Sequence, residues 1–271
     1  MDILNITKSN TSEWQPDQKS VDINEWFLMG SPAPVLLIMA TYWLFVIKVG
    51  PSVMSKRSPL TLRNIMAAYN FVQIILATAI FSKGAYFMWN NGFIQTECIM
   101  ENIELKYCVM TGVYLYFITK ITELLDTVFF ILRKKYNQAS FLHIYHHSIT
   151  VISTWIALKY EPNFNSTLFV GTLNSFVHII MYTYYALSAY PQLTKYLWWK
   201  KYITKLQLVQ FAVMIVHLLI EYNVTKCKPS YIILSIILFN LVFFLYLFSN
   251  FYSKTYKEAN EGAKGKTKHV D

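Results

Sequence analysis

Seven long apolar runs recur along this chain, each near the ~20 residues that a helix needs to cross hydrocarbon. They cover Pro32–Gly50, Asn64–Phe87, Tyr107–Leu132, Ala139–Tyr160, Thr167–Tyr190, Tyr202–Tyr222 and Tyr231–Phe251. None alternates with period two, and strands of a membrane barrel need only ~10 residues, so a β-barrel does not fit. Helices satisfy their own backbone groups in lipid. The expected fold is therefore an all-α membrane protein, about seven transmembrane helices forming a bundle or barrel. Composition agrees: 14% of the 271 residues are charged and 55% apolar, against about a quarter charged in soluble domains. The runs imply one membrane domain over residues 32–252, an N-terminal tail over 1–31 and a basic C-terminal tail over 253–271. The N-terminal tail is polar and lacks the small-residue cleavage site of a removable leader.

Basic residues set the expected orientation. Lys48, Lys56, Arg57, Arg63, Arg133, Lys134, Lys135, Lys195, Lys200, Lys201 and five tail lysines lie on one side, fifteen in all. The other side carries seven: Lys8, Lys19, Lys83, Lys106, Lys159, Lys226 and Lys228. The first side is expected to be cytosolic, with the N-terminus lumenal and the C-terminus cytosolic. The N-x-S/T glycosylation acceptors at Asn5, Asn10, Asn165 and Asn223 all fall on the lumenal side. So do Cys98 and Cys227, which an oxidising lumen allows to pair. The net charge of +9 is mainly this topology signal plus attraction to lipid headgroups. No nucleic-acid module is present.

An ionisable group at mid-membrane costs at least ~2.5–3.5 kcal/mol, so each one calls for a partner or a function. Lys120, Glu123, Asp126 and Thr127 share one face of the third span. His143, His146 and His147 share one face of the fourth. Asn174, His178, Tyr182 and Tyr185 form a stripe on the fifth, and Thr204, Gln207 and Gln210 one on the sixth. The second span adds Asn70 and Gln73. His217 and Asn240 stand apart and read as structural. At ~1.5 Å rise per residue, Asp126 and the histidines lie roughly 6–12 Å inside the cytosolic boundary. Five helices thus aim polar groups at one chamber in the cytosolic half, with a mostly apolar half behind it. Such a chamber suits an amphipathic substrate with its polar head outside and its hydrocarbon tail inward.

These residues also carry a family resemblance. Lys120–Asp126 is similar to K-x-x-E-x-x-D, His143–His147 to H-x-x-H-H, Asn174–Tyr185 to N-x-x-x-H-x-x-M-Y-x-Y-Y, and Thr204–Gln210 to T-x-x-Q-x-x-Q. Together, in this order, they resemble the motifs of the very-long-chain fatty acid elongases, over about residues 51–252. The resemblance implies a condensing enzyme of the endoplasmic reticulum membrane. Such an enzyme joins a long-chain acyl-CoA to malonyl-CoA and releases CO2 and CoA, leaving a 3-oxoacyl-CoA two carbons longer. It implies an acyl-chain tunnel and no metal or other cofactor. The implied partners are the two CoA substrates, the bilayer, the other enzymes of the elongation cycle and a second copy of the chain. Gln138 resembles the branch acting on very long or unsaturated chains. The tail lysines Lys266 and Lys268 stand off the register of a dilysine retrieval signal.

The chemistry can be argued from the side chains alone. Imidazole can attack a thioester and hold the acyl group, or serve only as base or hydrogen-bond donor. The nucleophilic role is favoured, with His146 the attacker, His143 or His147 orienting it, and Asp126 fixing its tautomer. His178 and Asn174 suit the developing oxyanion. Lys120 and Glu123 organise the pocket, and Arg133, Lys134, Lys135, Lys200, Lys201 and Lys205 meet CoA phosphates or lipid headgroups at the mouth. Two other readings exist. A membrane di-iron desaturase or hydroxylase also uses H-x-x-H-H boxes, but needs roughly eight ligands, and this chain has six histidines in all. A seven-helix receptor or transporter leaves the histidine cluster unexplained.

Overall fold

A computed structural model of the protein describes residues 22–97, 102–160, 166–226 and 228–257. The described residues contain helices and no strand. We number the seven long helical segments α1 (Ala33–Ser55), α2 (Arg63–Asn91), α3 (Ile103–Leu132), α4 (Phe141–Tyr160), α5 (Ser166–Ser188), α6 (Lys200–Val224) and α7 (Tyr231–Tyr252). Each matches one of the seven apolar runs to within a few residues. This is an all-α membrane protein. Four segments, α1, α2, α6 and α7, are long and apolar enough by composition to cross a bilayer. The other three carry the charged and histidine-rich stripes of α3 and α4 and the Asn174–Tyr185 stripe of α5, which dilute their apolarity. Phe71, Ile232 and Phe239 are each more than 60% exposed, an arrangement suited to a lipid surround.

Local chemistry sets the helix ends. Pro34 stands in the first turn of α1, where no intrahelical donor is needed. The Asn102 side chain caps α3 by accepting from the N–H groups of Glu104 and Leu105 at 3.0 and 3.1 Å. Gly92 ends α2 with φ of 89°, a conformation open to glycine. α3 stops where Lys134 turns left-handed at φ of 56° and the Lys135 N–H returns to the Phe130 carbonyl at 2.8 Å. Within α1, Phe45–Val49 forms a wider π-helical turn.

The helices pack as a closed ring in the order α2, α3, α4, α7, α6, α5 and back to α2. The seam between α2 and α5 is the tightest. A Cβ on Gly84 would lie 1.9 Å from the Thr172 hydroxyl oxygen, so only glycine permits this approach. α1 stands outside the ring and lies along α3 and α4. Val35, Met39, Tyr42 and Val46 join Phe117, Leu124 and Trp155 in one apolar cluster there. A second cluster joins Phe211, Met214 and Leu218 of α6 to Leu241 and Phe244 of α7.

One end of the ring gathers the basic residues. There the Leu60 N–H reaches the Leu132 carbonyl at 3.1 Å and Lys205 lies over the Tyr252 ring. At the far end residues 22–31, which sequence alone assigns to a tail, pack on α3 and α4. Trp26 stacks edge-on against Tyr114 at 4.9 Å. The Leu28 carbonyl accepts from the Trp155 indole at 3.0 Å, and the Met29 carbonyl from Lys159 at 2.6 Å.

The far half is less apolar than its sequence implies. Glu221, only 1% exposed, accepts from the Ser166 hydroxyl and lies 3.6 Å from His217. The other His217 nitrogen meets the Phe93 carbonyl at 2.8 Å, and its ring stacks on Phe169. His217 is therefore structural but far from isolated. Asn240 likewise accepts from Tyr145 at 2.7 Å, tying α7 to α4.

Candidate active site

The stripe on α3 meets the stripe on α5 inside the ring. Lys120 donates to both carboxylate oxygens of Glu123 at 2.8 and 2.9 Å, and to Asn174 Oδ1 at 2.7 Å. Tyr116 also donates to Asn174 Oδ1, at 3.0 Å, and its ring lies 4.7 Å below the Lys120 ammonium. With Oδ1 taken twice, the Asn174 NH2 is the end of the amide left to serve as donor. Glu123 Oε1 lies 3.0 Å from His178 Nδ1. A carboxylate accepting from Nδ1 leaves Nε2 as the basic nitrogen. Lys120 and Glu123 are each 1% exposed. Such a pair costs several kcal/mol of desolvation per ion unless its remaining hydrogen bonds are filled, and here Asn174 and His178 fill them.

Asp126 was expected to fix the tautomer of His146; the carboxylate that meets an imidazole within hydrogen-bond distance here is Glu123, and its partner is His178. Asp126 Oδ2 instead accepts from Tyr182 at 2.7 Å. Tyr185 packs against Tyr182 with ring centroids 6.0 Å apart. Helical spacing put both carboxylates on one face. It could not say which imidazole each would meet.

The three α4 histidines cluster as their spacing requires. His147 lies 4.2 Å from His143 and 5.3 Å from His146, centroid to centroid. The His146 ring is bounded by Phe244 of α7 at 4.9 Å, and His143 by Phe130 at 5.1 Å. His143 Nε2 and His147 Nδ1 are buried and take no hydrogen bond from the protein. The same holds for Asn70 Nδ2 and Gln73 Oε1 on α2 and Gln210 Oε1 on α6. Buried polar atoms are nearly always partnered. These five unpartnered atoms lie on three helices of the ring, α2, α4 and α6.

The remaining residues divide. Gln73 Nε2 donates to the Thr122 hydroxyl at 2.9 Å, and Gln207 Nε2 approaches Met181 Sδ at 3.8 Å. Thr204 is buried on the first turns of α6. Arg133, Lys134, Lys200 and Lys201 stay at the basic end, away from the ion network. Arg133 reaches Met66 Sδ at 3.2 Å, and Lys201 lies over Tyr202 at 5.1 Å. Asn223 is exposed in the last turn of α6, where its side-chain nitrogen donates to the Leu219 carbonyl at 2.7 Å. Asn5, Asn10, Asn165, Cys98 and Cys227 lie outside the described residues. Among the described residues, no group of three or more His, Cys, Asp or Glu side chains is arranged to hold a metal ion.

Sequence reasoning missed Tyr116, Tyr69 and Thr122. Tyr116 sits four residues before Lys120, and that spacing is a usable signal. Tyr69 packs its ring against Tyr182 at 6.2 Å and reaches the Thr122 carbonyl at 3.3 Å. Nothing in the local pattern of α2 distinguishes it from an ordinary interfacial tyrosine.

A ring of helices around a buried lysine–glutamate–histidine network, with unpartnered buried polar atoms on three of its helices, defines the class as a membrane-embedded enzyme. Comparison with known proteins gives its family. The model of the GNS1/SUR4 family, also called ELO, matches residues 27–264, and the chain belongs to that family. It is 40% identical to very long chain fatty acid elongase 4 of Homo sapiens over 258 residues, covering 94% of this chain and 80% of that protein. It is 35% identical to very long chain fatty acid elongase 7 of Drosophila melanogaster over 271 residues, 99% of this chain and 82% of that one. A very long chain fatty acid elongase of Aedes aegypti is 40% identical over 241 residues, 86% of this chain and 66% of that protein.

Proposed function

We propose that this protein catalyses the condensing step of fatty acid elongation, joining a long- or very-long-chain acyl-CoA to malonyl-CoA. The observation that carries this reading is the set of unpartnered buried atoms on His143, His147, Asn70, Gln73 and Gln210 beside the Lys120–Glu123–His178 network. In the reaction, an imidazole nitrogen of His146 attacks the acyl thioester carbon. The C–S bond breaks, CoA leaves as its thiol with the imidazole proton, and an acyl-imidazole remains. Malonyl-CoA then loses CO2. The electron pair of the broken C–C bond becomes an enolate whose carbon attacks the acyl group. The C–N bond to His146 breaks, the leaving nitrogen takes up one proton from solvent, and 3-oxoacyl-CoA forms. The Asn174 amide donates to the enolate oxygen, and His178 donates beside it once its basic Nε2 has taken up a proton; His143 and His147 orient His146, and Tyr182 holds Asp126 within the bundle. Arg133, Lys134, Lys200 and Lys201 receive CoA phosphates at the mouth, and the acyl tail runs toward the far end.

All seven helices cross the membrane in this reading, with the basic end cytosolic in the endoplasmic reticulum. No metal or other cofactor takes part, and the other elongation-cycle enzymes and a second copy of the chain are its partners. The test is to incubate His146→Ala and the unaltered protein with acyl-CoA and labelled malonyl-CoA. His146→Ala forms no 3-oxoacyl-CoA. The unaltered protein given acyl-CoA alone releases CoA and gains an acyl mass on the His143–His147 peptide. Product formation by His146→Ala refutes the nucleophile. Stoichiometric iron lost together with activity returns the desaturase reading, and full activity without all three histidines returns the receptor or transporter.

A further inference from the structure

α1 takes no place in the ring of six helices, yet two of its consecutive residues are bonded to two different ring helices. The Tyr42 hydroxyl shares a hydrogen bond of 2.8 Å with Thr127 of α3. The Trp43 indole N–H donates to the Ser148 hydroxyl of α4 at 2.8 Å. Those partners directly follow Asp126 and His147 in the chain. Neighbouring side chains on a helix diverge by about 100°, so Tyr42 and Trp43 straddle the groove between α3 and α4.

We infer that α1 is a strut that sets the register of α4 against α3, with Tyr42 and Trp43 as positioning residues for the condensation proposed above. The apolar seam of Met39, Val46, Phe117 and Leu124 holds α1 in place, but burial is non-directional and fixes no register. The two hydrogen bonds do. A slip of α4 by one residue would move it by about 1.5 Å and turn it by about 100°, breaking the Trp43 bond and carrying the histidines away from the α3 network. Thr127 is fully buried and Ser148 nearly so, and no water in a lipid surround replaces a lost partner. Toward the basic end the π-helical turn at Phe45–Val49 leads into a second contact. There Gly50 comes so near α3 that a Cβ would lie 2.8 Å from Ile131 Cγ2.

The inference rests on the proposed function, and the test separates the two. Purified Tyr42→Phe/Trp43→Phe keeps an aromatic ring at both positions and loses both hydrogen bonds, with some packing lost where phenyl replaces the larger indole. Its kcat falls between about ten- and a hundred-fold, as for a misplacement of about 1 Å, while KM for either CoA substrate stays within about twofold. Met39→Ala thins the same seam without touching either bond. It lowers the melting temperature and leaves kcat near that of the unaltered protein. Unaltered kcat in the double variant, or an equal kcat loss in Met39→Ala, overturns the strut. His146→Ala run alongside reports on the site itself. If it is inactive beside a fully active double variant, only the strut is wrong; if it turns over normally, the site assignment fails first.

Discussion

Replacing Glu123 by leucine should strand the buried Lys120 ammonium and free His178 in one step. The carboxylate accepts both Lys120 contacts, at 2.8 and 2.9 Å, and the His178 contact at 3.0 Å, with each member of the ion pair 1% exposed. Removing one partner of such a pair costs about 3–5 kcal/mol. For a chain somewhat above 150–250 residues each kcal/mol moves the melting temperature by about 2–4 °C. Glu123→Leu should therefore melt about 6–20 °C lower, and Lys120→Met by a similar amount because it leaves a carboxylate without its cation. The double variant Lys120→Met/Glu123→Leu buries no charge, and such replacements are often neutral or stabilising. It should recover most of the lost melting temperature, giving a coupling of opposite sign to the single losses. Activity should not follow. Without Glu123, nothing fixes the His178 tautomer, so the double variant stays inactive although it is folded. The assays are thermal unfolding in one detergent and 3-oxoacyl-CoA formation on the same preparations. Single variants that melt with the unaltered protein, or a double variant that melts as low as the worse single, would show that the pair is solvated and the buried-network argument is wrong. Full activity in the double variant would remove His178 from the chemistry.

Three further outcomes are expected. Gly84→Ala places a methyl group 1.9 Å from the Thr172 hydroxyl oxygen, and should cost about 1–3 kcal/mol as an overpacked core; pairing it with Thr172→Ala should restore part of that loss in the same melting assay, and no recovery would place the strain elsewhere. Non-reducing peptide mapping should find Cys98 linked to Cys227, since the Lys226 N–H bonds the Thr96 carbonyl at 2.9 Å and its ammonium meets Glu97 at 2.7 Å; the bond should be worth about 2–5 kcal/mol, and two alkylatable thiols in native membranes would exclude it. Leu218 and Met214 are 0% and 2% exposed on α6 beyond Gln210, so Leu218→Ala should lengthen the longest product and Met214→Trp shorten it by mass spectrometry. Changes in rate alone, at fixed product length, would mean the acyl tail leaves the ring sideways into lipid.

The sequence by itself determined the helices and their inward faces. Apolar runs near the span length leave the backbone no alternative to helix in lipid, and α1 to α7 fall on them. Residues three and four apart must share a face, so Lys120 with Glu123, and His143 with His146 and His147, were legible before any fold was known. The structure alone decided which faces meet. Periodicity gives the angle and height of a side chain on its own helix, but not the order in which helices stand around a ring. That order put Glu123 rather than Asp126 on an imidazole and gave Asp126 to Tyr182. It also brought Ser166 of α5 to Glu221 of α6, which lies one turn beyond His217, in a half that reads as apolar along the chain. It left α1 outside the ring, where Tyr42 and Trp43 reach α3 and α4. Each of these contacts joins residues more than 50 positions apart, apart from the His217–Glu221 pair within one helix turn. Contacts so distant along the chain follow from packing area and shape, which a local pattern does not carry.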